Sequence, residues 1–165
     1  MPRRREVLSV AAFAGASVLL GAQTQNNQAT QAAVPAKPPA LDPAMVKEYV
    51  IAGHGDLDKV KSMLAKESGL LNASWDWGGG DFEMAIGGAG HMGRADIAEY
   101  IISQGGRFDI FVAAMLGRLD IVKNALTAFP NLAQSKGPHG IPLLVHAQKG
   151  GERAAEVLKY LESLK

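Results

Sequence analysis

Residues 49–61, YVIAGHGDLDKVK, and residues 111–123, FVAAMLGRLDIVK, are two versions of one segment. They agree at Val50/Val112, Ala52/Ala114, Gly55/Gly117, Leu57/Leu119, Asp58/Asp120, Val60/Val122 and Lys61/Lys123, seven identities in 13 positions. Each copy joins a short apolar helix to a second, amphipathic one. The glycine between them is expected to end the first helix, because it adopts the left-handed conformation that a side chain makes costly. The second helix then repeats apolar residues at helical spacing: Leu57, Val60, Met63 and Leu64 in one copy, Leu119, Val122 and Leu126 in the other.

Two weaker copies fill the remaining space. The run from Gly93 to Ile102 continues the pattern with Ile97, Ile101 and Ile102 inward, and Gly151 to Leu164 supplies another second helix through Val157, Leu158 and Leu161. With Gly55, Gly93, Gly117 and Gly151 equivalent, the intervals are 38, 24 and 34 residues. Here the chain resembles the ankyrin repeat family, whose period is about 33 residues. The phrase from Ala95 to Gly106, ADIAEYIISQGG, is close to that family's second-helix pattern, and Gly140 to Ala147, GIPLLVHA, looks like a relative of its G-x-T-P-L-H-x-A opening. The resemblance implies an all-α solenoid of about four helix-turn-helix repeats over residues 41–165. No copy carries an intact T-P-L-H, and Gly106 to Asp109 must run almost directly into the next helix, so the hairpins between repeats are expected to be short or missing.

Upstream, the chain begins MPRRREVLSVAAFAGASVLLGAQ. The uncharged stretch from Val7 to Leu20 is 14 residues, short of the roughly 20 needed to span a bilayer. With Arg3 to Arg5 ahead of it, residues 1–22 read as a cleavable export signal. Arg4-Arg5-Glu6-Val7-Leu8 resembles a twin-arginine signal, with a general secretory signal as the alternative. Residues 23–40, rich in Gln, Asn, Ala and Pro, cannot bury enough apolar area to offset the entropy of ordering and read as a disordered tether. The expected location is therefore periplasmic or secreted. The whole chain has 17 Lys and Arg against 16 Asp and Glu; removing Arg3, Arg4, Arg5 and Glu6 leaves 14 against 15. A near-neutral balance gives no basis for nucleic-acid binding.

Function is harder to read from this pattern. Cysteine is absent, which removes disulfides, thiolate zinc sites and cysteine nucleophiles together. Neither G-x-S-x-G nor H-E-x-x-H occurs, so no enzyme is expected and no cofactor. The resemblance implies a binding surface on the concave side, and side chains there without a packing reason are the candidates for a protein partner. Trp75, Asp76, Trp77, Asp81, Phe82 and Glu83 surround a triple glycine in the longest inter-repeat connection, with Arg107, Phe108 and His139 at the later tips. The three carboxylates of that loop are expected to be exposed. His54 and His91 lie near helix-to-helix turns of adjacent repeats, and His139 and His146 in or beside the last opening. No pair has the i, i+4 spacing of a helical zinc motif, so each is expected to be structural or solvated, with no metal site. The leading expectation is a monomeric exported adaptor, inhibitor or stabiliser of a partner protein, without membrane contact after cleavage. The alternative is an accessory protein that binds a small ligand or metal through the Trp75 to Glu83 loop and nearby His91.

Overall fold

The computed structural model describes residues 37–164. The export signal read at 1–22 and most of the tether read at 23–40 lie outside the described residues. The described region is mainly helical, as expected: α1 (Pro43–Gly53), α2 (Leu57–Lys66), α3 (Ala85–Met92), α4 (Ala95–Ser103), α5 (Ile110–Met115), α6 (Leu119–Ala128), α7 (Leu143–Lys149) and α8 (Ala155–Glu162). Strands β1 (Ser74–Asp76) and β2 (Phe82–Met84) form a two-stranded antiparallel hairpin between α2 and α3. None of the described helices is long and apolar enough to cross a membrane.

The helix starts are written in the sequence. Asp42 accepts the Ala44 N–H ahead of Pro43, Asp56 accepts the Lys59 N–H, and Asp109 accepts the Val112 N–H. Each satisfies one of the backbone donors that a helix N-terminus leaves unpaired, worth about 1 kcal/mol. At the turns, Gly93, Gly117 and Gly151 have positive φ, matching the reading of the repeated glycine. Gly55 is the exception: α1 closes through a right-handed His54, and the Asp56 N–H returns to the Ala52 carbonyl without a left-handed residue. Gly117 meets a second constraint, since a Cβ there would lie 2.0 Å from the Arg153 carbonyl oxygen.

The odd-numbered helices pack in a row, α1 on α3, α3 on α5 and α5 on α7, while α2 contacts α4 and α6 contacts α8 behind them. Small residues bring the row together. A Cβ on Gly53 would fall 2.2 Å from the Ala85 carbonyl oxygen, so α1 and α3 touch backbone to backbone there. The second helices bury the expected stripe, Val60 and Leu64, Ile97 and Ile101, Val122 and Leu126, Val157 and Leu161. Each such side chain contributes about 1.5–3 kcal/mol of apolar burial. Leu57, Met63, Ile102, Leu119 and Leu158 pack on the core from its margin. Between the helix pairs the connections differ: a hairpin follows α2, Gly106 to Asp109 leads directly into α5, and a lone antiparallel bridge, Lys136 with Pro142, precedes α7.

Candidate metal centre

In β2 the residues alternate between faces. Phe82 points outward and is 61% exposed, whereas Glu83 points inward and is 1% exposed. This corrects the expectation of an exposed carboxylate at Glu83: strand pairing of Trp75 with Glu83 turns it under the hairpin. The hairpin turn itself is fixed by Asp76, whose Oδ1 accepts the Gly78 and Gly80 N–H groups. Trp77, at the start of that turn, donates its indole N–H to Glu83 Oε2 at 2.8 Å.

Three histidines from three other segments meet this carboxylate. His54 at the end of α1 places Nε2 3.4 Å from Glu83 Oε2, and His139 places Nε2 3.3 Å from the same oxygen. His91, in the last turn of α3, places Nε2 2.9 Å from Glu83 Oε1. One ligand atom from each of the four residues lies within 4.8 Å of every other. Atoms held about 2.0–2.2 Å from one ion are about 3.0 Å apart at right angles and about 3.4 Å apart at tetrahedral angles. The observed separations from the carboxylate fall in that range.

The outer partners decide which ring nitrogens face the centre. His54 Nδ1–H donates to the Val50 carbonyl at 3.0 Å, and that carbonyl oxygen can only accept. His139 Nδ1–H donates to Asp81 Oδ2 at 2.9 Å, while its backbone N–H donates to Asp81 Oδ1 at 2.9 Å. With Nδ1–H committed outward, each ring turns its Nε2 toward Glu83 Oε2, as a lone pair or as an N–H according to its protonation. Two lone pairs facing a carboxylate oxygen repel unless a cation, either ring protons or a metal ion, lies among them. A carboxylate or carbonyl behind each imidazole is also what fixes the tautomer of metal-bound histidine.

The local backbone is shaped to this end. Gly88 on α3 has no side chain because the His54 ring occupies the space: a Cβ would lie 2.7 Å from His54 Nδ1 and 2.8 Å from Cε1. His139 is the one described non-glycine residue with positive φ, at 58°. That conformation costs on the order of 1 kcal/mol or more, and Asp81 holds it from both the backbone and the ring. Burial pushes the Glu83 carboxyl up, but the hydrogen bonds from His91 and Trp77 and the charge of His54 and His91 outweigh it and hold it below its ordinary value.

Of the residues expected at a partner surface, Glu83, Trp77, Asp81 and His139 converge on this centre. Trp75 is half-buried, packs on the core and lies under Lys47, whose Nζ is 5.3 Å from its ring centroid. Asp76 closes the turn. Phe82, Arg107 and Phe108 are exposed, and Phe82 and Arg107 line an open groove of about 570 Å³ together with Asp81, Lys136 and Pro138. His91, named beside the loop in the alternative reading, joins the centre, and His54 and Gly88 are the residues that reading did not include. The signal was positional: His54 and His91 both close a first helix, and packing of α1 on α3 brings the two rings to 4.9 Å. No protein-family model, curated protein or solved structure matches this chain.

Proposed function

We propose that this chain is an exported binding protein of the ankyrin type that holds one divalent transition-metal ion with His54, Glu83, His91 and His139. The observation that carries the reading is the convergence of three imidazole Nε2 atoms on the buried Glu83 carboxylate, with the His54 and His139 rings braced from behind. Three imidazoles and one carboxylate favour Fe, Co, Ni, Cu or Zn over Ca or Mg, which prefer all-oxygen shells. The ankyrin part of the proposal rests on the repeated 49–61 and 111–123 segments, and the export part on residues 1–22. A twin-arginine route would deliver the chain folded, with its metal already in place. Binding, rather than catalysis, is the proposed role.

Calorimetric titration of the chelator-treated full chain with Co(II), Ni(II), Cu(II) and Zn(II) tests this. One ion per chain, with tryptophan emission changing in step because Trp77 touches Glu83, is the expected result. Absence of saturable uptake for all four ions refutes the reading.

A second reading, docking of a partner protein, draws on the outward Phe82 and Phe108 beside Arg107. If it holds, exchanging both phenylalanines for serine abolishes partner capture and leaves metal uptake unchanged.

A further inference from the structure

The four proposed ligands are not equally covered. Glu83 and His91 form a floor, with side chains 0% and 9% exposed, whereas those of His54 and His139 are 26% and 33% exposed. The two rim rings are also the most widely separated pair. Their centroids are 6.4 Å apart, against 4.9 Å for His54 with His91 and 5.4 Å for His91 with His139. The rim of the centre is therefore formed by His54 and His139, the two ligands whose side chains water reaches. Trp77 lies beside both rim rings, its ring centroid 6.5 Å from that of His54 and 5.9 Å from that of His139.

Four protein ligands close a tetrahedral structural site, whereas an ion that expands to five or six ligands keeps a position open beside the same four. From the uneven cover we infer that the metal retains an exchangeable coordination position on the rim side, where His54 and His139 are exposed, taken by water or by a small monodentate anion. The inference rests on the proposed metal binding and goes beyond it by naming a second ligand. Charge favours an anion: a divalent ion with the single Glu83 carboxylate leaves one positive charge at the centre. Asp81, whose carboxylate is hydrogen-bonded to the far side of the His139 ring, offsets it only from behind that ring. The Trp77 indole gives the entrant an apolar wall, and its N–H is already committed to Glu83 Oε2.

The test uses the full chain loaded with Co(II), with azide as the probe. The expected result is a saturable shift of the visible cobalt bands with one azide per metal. The water-proton relaxation produced by the Cu(II) form is expected to fall as azide is added, because azide displaces a bound water. Cobalt bands of a four-coordinate site that do not move at any azide concentration, with no azide-dependent change in water relaxation, would overturn the open position while leaving metal binding intact. Failure to take up cobalt at all would overturn both, and stoichiometric uptake distinguishes the two failures.

Discussion

Gly88→Ala is the sharpest perturbation of the centre, because it changes no ligand and no charge. Gly88 lies within α3 with ordinary helical backbone, so alanine there gains about 1 kcal/mol of helix propensity. Its Cβ, however, would sit 2.7 Å from His54 Nδ1, 2.8 Å from Cε1 and 3.2 Å from Cγ. Ordinary carbon contacts begin at about 3.5 Å, so the ring must retreat by roughly 1 Å or rotate away. Either movement lengthens the Val50 hydrogen bond, worth about 1 kcal/mol, and withdraws one imidazole from the metal. The helix gain and the hydrogen-bond loss nearly cancel, so the metal-free chain should melt within a few degrees of the parent. Metal affinity should fall by at least about 10–100-fold, the usual cost of disturbing a residue that orients a ligand. Competition against a chromophoric chelator reads the affinity, and circular dichroism the melt. Gly87→Ala is the control, since its Cβ would meet Glu83 Cγ and Pro138 Cγ at 3.5 Å, an ordinary contact. Unchanged affinity in Gly88→Ala, or an equal loss in both variants, would refute the reasoning.

Three further outcomes follow from the same packing. Tyr49→Phe should raise stability by about 1 kcal/mol in denaturant unfolding, because the buried Tyr49 hydroxyl has no hydrogen-bond partner. Burial also pushes the Tyr49 phenol far above its ordinary value of 10.0. The unfolded chain therefore ionises first, stability is full below about pH 10 and falls as pH rises, and Tyr49→Phe should remove that alkaline loss. On the acid side, burial lowers His146 from its ordinary value of 6.5, and His146 Nε2 has no partner. Its stabilising contribution is full above about pH 6.5 and is lost as pH falls toward the lowered value in the folded chain. Glu83, also lowered, adds a second loss only below its ordinary 4.5. Urea midpoints across pH 3–7 should show both steps, and His146→Leu should abolish the upper one alone.

The repeat of residues 49–61 at 111–123 was enough to place the helix pairs, because apolar spacing and caps are local signals. It misassigned the role of Gly55, whose turn closes without a left-handed residue. The centre was less legible for a physical reason. Its four residues stand at 54, 83, 91 and 139, on four segments, whereas short-range spacing relates only neighbours on one helix. Glu83 could have been placed inward by strand alternation beside Phe82, had Ser74 to Met84 been read as a hairpin instead of a loop. The turn that holds His139 is visible in Gly137-Pro138-His139-Gly140, but its partner Asp81 lies 58 positions earlier and leaves no local trace.

The most direct test is a crystal structure of the chain soaked or grown with Zn(II) or Co(II), with anomalous diffraction collected at the metal edge. One dominant anomalous peak is expected, bonded to Nε2 of His54, His91 and His139 and to one oxygen of Glu83, at about 2.0–2.2 Å. A peak elsewhere, or none with these four side chains ordered as described, would contradict the proposed metal centre.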